Sequence, residues 1–215
     1  DGNLWVGVGC GSLGSRIARV TPAGEVAVMA SVAAELVLGI TAGPDGNIWF
    51  TETDGRTGTT GNMIGRISPT GTLTEFPVPT AASGPTGIAV GPDGALWFTE
   101  GRANKIGRIT TKGKVTEFPT PTLSTSRPGP ITAGPDGSMW FGAVGAIGRI
   151  TMEGTITVFP IPLEGIYSVG ASSITSGLDG NLWFTLSGRD AIGRMTPTGT
   201  LTEFPVPGSP GTRQP

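Results

Sequence analysis

Two glutamates stand at the same place in a repeated phrase: Glu52 follows GPDGNIWFT and Glu100 follows GPDGALWFT. Carboxylates in such a recurring position suit a hard cation or a polar ligand. They equally suit a solvated strand end or a hydrogen bond to a neighbouring loop. Asp54, Arg56, Arg102, Asn104, Tyr167, Arg189 and Asp190 lie in the segments beyond these motifs and add charge, amide and phenol groups. Glu52, Asp54, Glu100, Asn104, Tyr167 and Asp190 are the candidate ligand-binding residues, and Glu52 and Glu100 the candidate metal ligands.

The residue types also exclude chemistry. The sequence contains no histidine, so a base poised near neutral pH would have to be a carboxylate or one of the three lysines, Lys105, Lys112 and Lys114, with a strongly tuned pKa. No catalytic residue is assigned. The single Cys10 cannot form an intramolecular disulfide or a cysteine zinc cluster, and nothing imidazole-like activates it. Fourteen Lys and Arg against sixteen Asp and Glu give a net charge of −2, which argues against nucleic acid or an anionic membrane as partner. No apolar run reaches the roughly 18 residues of a membrane span.

These residues must be positioned by the elements of a repeat. The five tryptophans, Trp5, Trp49, Trp97, Trp140 and Trp183, are spaced 44, 48, 43 and 43 residues apart, and each follows a DG turn. A unit such as GIAVGPDGALWFTEGRANKIGRITTKGKVTEFPTP contains four short apolar runs separated by turn residues. Its strands are A over 86–90, B over 95–99, C over 105–110 and D over 115–118, with Gly107 making room for a bulky neighbour. Four antiparallel strands recurring every 40 to 50 residues mark a β-propeller blade, so the chain is an all-β propeller domain over 1–215. Its repeats run roughly 1–43, 44–91, 92–134, 135–177 and 178–215. All eight phenylalanines follow a repeat tryptophan or close a strand D, so they serve blade packing.

Spacing separates two faces. Turn aspartate to tryptophan is always four residues, and strand-C arginine to strand-D phenylalanine is always ten in the four copies that have both. From tryptophan to the strand-C arginine the distance is 14, 17, 11, 9 and 11, so variation falls on the rim formed by the B–C and D–A loops. Loops on a rigid scaffold are the usual seat of binding, and any site is expected there. Arg66, Arg108 and Arg194 stand nine residues before Glu75, Glu117 and Glu203, a recurrence expected of a structural ion pair or of stacking on an aromatic ring.

In DGNIWFTE, NKIGRITTKGKVTEFPTP and GPTGIAVGPDG the chain resembles the virginiamycin B lyase (streptogramin B lyase) family of propellers, over nearly its whole length. That resemblance implies a closed seven-bladed ring in which Mg2+ and a histidine base open a cyclic depsipeptide antibiotic at its ester by elimination, a bacterial antibiotic-resistance function. Magnesium is implied by the resemblance alone, as is its placement at Glu52 and Glu100. The missing histidine departs from the pattern.

Five B–C–D sets are accompanied by four clear A strands; the chain starts at an A–B turn and stops in a segment that resembles a D–A loop. The reading therefore expects an arc of a six- or seven-bladed ring, truncated at both ends, with histidines in the blades outside it. An isolated arc is expected to self-associate through exposed blade edges. Three functions stay open: a parent carbon–oxygen lyase acting on a small cyclic peptide, a noncatalytic propeller binding a peptide, glycan or cell-wall ligand at its variable rim, and a sugar-lactone hydrolase. Composition fits a secreted bacterial protein and a cytoplasmic one alike.

Overall fold

Proline, aspartate and glycine in the GPDG turns, with the glycine at positive φ (Gly46 +76°, Gly94 +71°), cut the chain into short strands. A computed structural model describes residues 2–9, 14–54, 61–121, 127–162 and 170–207. The first sheet contains β1 (Leu4–Gly9), β2 (Ser15–Val20) and β3 (Val26–Val32). The second contains β4 (Leu36–Ala42), β5 (Ile48–Thr53), β6 (Met63–Ile67) and β7 (Leu73–Pro77). The third contains β8 (Pro85–Val90), β9 (Leu96–Glu100), β10 (Lys105–Ile109) and β11 (Val115–Pro119). The fourth contains β12 (Ile131–Ala133), β13 (Met139–Ala143), β14 (Ala146–Ile150) and β15 (Ile156–Pro160). The fifth contains β16 (Gly170–Ser176), β17 (Leu182–Ser187), β18 (Ala191–Met195) and β19 (Leu201–Pro205). Each sheet is an antiparallel meander in chain order, as a propeller blade requires. Each four-stranded sheet takes its first strand from ahead of the GPDG turn, so the sheets cut the chain at the D–A loops.

Within a blade one aromatic assembly recurs. Trp49, Trp97, Trp140 and Trp183 donate their indole N–H to Asp45, Asp93, Asp136 and Asp179 at 2.9–3.0 Å. Phe76, Phe118, Phe159 and Phe204 stack on those indoles at 5.3–5.6 Å. The guanidiniums of Arg66, Arg108 and Arg194 lie over the same rings at 5.5–5.9 Å. Stacking therefore accounts for the arginines, and the Arg–Glu ion pair expected from their spacing does not form. Register gives the reason: Arg66 is opposite Thr74 and Gly65 is opposite Glu75, so arginine and glutamate point to opposite faces. Arg108 pairs instead with Asp93 at 2.6 Å and Arg149 with Asp136 at 3.0 Å. The room left by the strand-C glycine is used as expected, since a Cβ at Gly107 would stand 2.0 Å from Phe98 Cζ.

Blades join through a second repeated device. Thr51 and Thr99, in the WFTE phrase, accept the amides of Gly39 and Gly87 at 2.9 Å, each at a bulge in the blade's own innermost strand. Their hydroxyls donate onward to Thr86 O (2.7 Å) and Gly129 O (2.6 Å) in the following blade. In the fourth blade Gly142 replaces the threonine, and β12 pairs with β13 without a bulge. Apolar layers fill each joint: Trp49 and Ile64 of the second blade pack with Leu96, Phe98 and Ile109 of the third. Inner strands pack in sequence order, β1 on β4, β4 on β8, β8 on β12 and β12 on β16.

Candidate functional site

Glu52 and Glu100 end strands β5 and β9 near the variable rim, but their side chains turn inward. Glu52 is 1% exposed and Glu100 0%. Both lie on the blade face that carries the strand-C glycine, and a Cβ at Gly65 would stand 2.7 Å from Glu52 Oε1. The glycine leaves a slot through which each glutamate approaches a strand-D glutamate, Glu75 or Glu117. Burial, reinforced by the Glu75 carboxylate, pushes Glu52 up to about 8. Burial, reinforced by Glu117, pushes Glu100 up to about 8 as well.

The third blade shows how the two carboxyls of a pair divide their roles. Burial would raise Glu117 too, but Thr80 N (3.0 Å), Thr80 Oγ1 (2.9 Å) and Lys105 Nζ (3.2 Å) donate to it and hold it below the usual glutamate range. Beneath it, Glu100 lies beside Glu117 and the Ser83 hydroxyl, and no well-aligned hydrogen bond reaches either of its oxygens. The nearby Ser83 hydroxyl spends its hydrogen on Asn62 Oδ1 at 2.8 Å. A neutral, protonated Glu100 under an ionised Glu117 is the arrangement that these surroundings favour.

Asp54 and Arg102 are brought together from successive B–C connections. Arg102 Nη1 donates to Asp54 Oδ1 at 2.7 Å and Arg102 Nη2 to the Asp54 carbonyl at 3.0 Å. The aspartate side chain is 2% exposed and the arginine 36%, so the pair is sealed on one side and open on the other. It borders a pocket of about 320 Å³ at the inner end of the variable rim. Leu36, Leu38 and Pro128 supply apolar wall, Gly84, Gly101 and Gly129 leave it unobstructed, and Arg127 adds a second guanidinium. Arg127 has no ion-pair partner among the described residues, so the pocket carries net positive charge.

The other expected contacts separate. Asn104 (φ +52°) and Asp190 (φ +46°) occupy the left-handed position just before strand C. Their carbonyls accept the amides of Thr120 and Val206 at 2.9 Å, which closes the loop against the end of strand D. Arg189 bonds Glu203 at 2.5 Å and the Pro162 carbonyl. Tyr167, Arg56 and Cys10 lie outside the described residues. Sequence reasoning missed Arg127, which sits in a long D–A segment with no repeat counterpart to mark it.

A magnesium ion takes about six oxygens at about 2.1 Å, of which a protein commonly supplies one or two carboxylates and water the rest. Among the described residues no three Asp, Glu, His or Cys side chains converge. Glu52 and Glu100 stand in different blades, each walled in beside its own partner. Glu52 and Glu100 therefore do not converge on one ion.

A model of the virginiamycin B lyase family matches residues 1–213. Among solved structures, the chain is similar to a catalytically inactive virginiamycin B lyase from Staphylococcus aureus with quinupristin: 39% identity, TM-score 0.80, covering 91% of this chain and 64% of that one. It is similar also to a streptogramin B lyase (36%, TM-score 0.76, 89% and 62% covered). The selenomethionine-substituted Staphylococcus aureus virginiamycin B lyase gives 40%, TM-score 0.77, and 89% and 63% covered. The chain thus spans less than two thirds of the length of each. No curated protein sequence matches it.

Proposed function

The chain belongs to the virginiamycin B lyase family, and from that premise we propose that it is the substrate-positioning arc of a lyase acting on cyclic depsipeptide antibiotics of the streptogramin B class. The observation that carries this reading is the pocket beside Asp54 and Arg102, which combines apolar wall with guanidinium donors. A cyclic depsipeptide presents ester and amide carbonyls on a ring of apolar side chains. Arg127 and the open side of Arg102 are suited to donate to those carbonyl oxygens, while Leu36, Leu38 and Pro128 receive an apolar side chain. Asp54 holds Arg102 in place for this task. One solved relative carries quinupristin, a ligand of this kind.

The arc binds and orients; proton abstraction is assigned to none of its residues, because it has no histidine and its two raised carboxyls are buried. The missing base equally favours a second reading, a propeller that binds a peptide-like ligand in this pocket and does not turn it over.

Titration calorimetry of the 215-residue chain with quinupristin tests the binding step. Affinity of roughly micromolar order is expected, weakened about tenfold by Arg127→Ala. Absence of binding would sink the substrate assignment. Ring opening by this chain, seen as a linear product in mass spectrometry, would instead overturn the assignment of binding alone.

A further inference from the structure

The pocket beside Asp54 and Arg102 is built wholly from the second, third and fourth blades. Leu36 and Leu38 come from the second, Thr86 and Arg102 from the third, and Arg127 and Gly129 from the connection into the fourth. Each of these blades packs on both of its neighbours within the chain, so no open blade face enters the pocket wall.

Its charge is not balanced. The Asp54 side chain is 2% exposed, and its partner is Arg102, which donates to Oδ1 through Nη1 and to the Asp54 carbonyl through Nη2. Those two bonds leave the other N–H groups of the guanidinium uncommitted, on a side chain 36% exposed. Arg127 is exposed and pairs with no carboxylate among the described residues. One carboxylate and two guanidiniums leave one positive charge beside the apolar wall of Leu36, Leu38 and Pro128. Such a wall lowers the local dielectric and strengthens a charged hydrogen bond.

The ester and amide carbonyls of a cyclic depsipeptide are neutral. Opening the ring at its ester changes that. Elimination breaks the alkyl C–O bond: a proton leaves the neighbouring carbon for the base, the electrons of that C–H bond form the alkene, and the C–O pair departs on the oxygen as a carboxylate. Hydrolysis leaves the same carboxylate, with an alcohol in place of the alkene. Either way the linear product has a negative charge that the ring lacks, ionised at neutral pH. A carboxylate is also planar, and a guanidinium fork can receive it through two parallel bonds. Resting on the reading that this pocket takes a cyclic depsipeptide, we infer that its charge is matched to the opened ligand: Arg127, with the open edge of Arg102, is a carboxylate subsite, and the chain binds the linear acid more tightly than the ring it comes from. The apolar wall takes a side chain of the ligand in both states, so charge alone tells them apart. Release of the product must then break a charged contact that entry of the ring does not make.

Titration calorimetry of the 215-residue chain compares quinupristin, its ring-opened acid prepared by saponification of the ester, and that acid capped as the primary amide. The acid is expected to bind about tenfold tighter than either the ring or the amide. Arg127→Ala is expected to weaken the acid roughly 100-fold and the ring roughly tenfold, so that the two then bind alike. On the unmutated chain the advantage of the acid is expected to shrink at about 0.5 M NaCl, a readout that does not depend on the folding of a variant. An acid that binds no tighter than the ring, an advantage that survives Arg127→Ala, or one that ignores salt would each overturn the inference and leave the assignment of the pocket to a cyclic depsipeptide in place. If neither ring nor acid binds, that assignment falls with it.

Discussion

The Thr99 hydroxyl donates to the Gly129 carbonyl at 2.6 Å, so one oxygen atom that also accepts the Gly87 amide ties the third blade to the fourth. Thr99→Val keeps the shape and leaves both the amide and the carbonyl without this partner inside the protein. A loss of about 2 kcal/mol is expected in urea unfolding. Thr185→Val, whose hydroxyl has no onward carbonyl among the described residues, is expected to lose less than half as much. Equal losses would mean that the bond between blades contributes nothing.

Glu100 makes stability depend on pH in an unusual direction. Its folded pKa is about 8, against 4.5 for an ordinary glutamate. Between those values the unfolded chain has released the proton and the folded chain still binds it, so stability falls as pH rises. The slope approaches about 1.4 kcal/mol per pH unit for one such group, and burial shifts Glu52 in the same direction. Thermal melts are therefore expected to drop from pH 5 to pH 8 and then level, as far as these groups control them. Glu100→Gln, neutral at every pH, is expected to flatten part of that slope and to melt higher than the parent at pH 8.5. A variant that melts lower at pH 8.5 would refute the buried neutral acid.

Asp93 accepts the Trp97 indole N–H and pairs with Arg108. Asp93→Ala removes both and is expected to cost about 2 kcal/mol in chemical denaturation. Asp93→Asn retains an acceptor for the indole and is expected to cost less. The reverse order would show that the charge matters and the indole bond does not.

Gly107→Ala forces a methyl into the Phe98 ring, with the Cβ 2.0 Å from Cζ. The expected cost is about 3 kcal/mol. Phe98→Leu shortens the obstructing side chain, so the double variant is expected to lose less than the two single losses added together. Additive losses would place the strain elsewhere.

Much of the fold was legible because its determinants are local. GPDG and TKG turns set strand ends, and fixed spacings mark residues that must meet in every copy. The Asp–Trp bond was also encoded in a constant spacing of four, although that spacing alone named no partner. The arginine–glutamate recurrence misled because spacing along a chain does not say which face of a sheet a residue takes: Gly65, not Arg66, is opposite Glu75. The burial of Glu52 and Glu100 was hidden for a related reason, since the slot they enter belongs to the glycine of the next strand. Arg102 and Asp54 met through two connections 48 residues apart, a contact that no repeat spacing announces.

The constant C–D turn is also a shared dimension between blades. Gly113 rests against Phe76 of the preceding blade, and the Thr111 carbonyl of that turn accepts Arg66. A longer or shorter turn would have to be matched by its neighbour, whereas the B–C loops differ in length from copy to copy while the stacks behind them keep their spacing. Each blade is in this sense a cassette: recombination at the D–A junctions would carry a whole rim loop into a new ring and leave the fittings at the other face interchangeable.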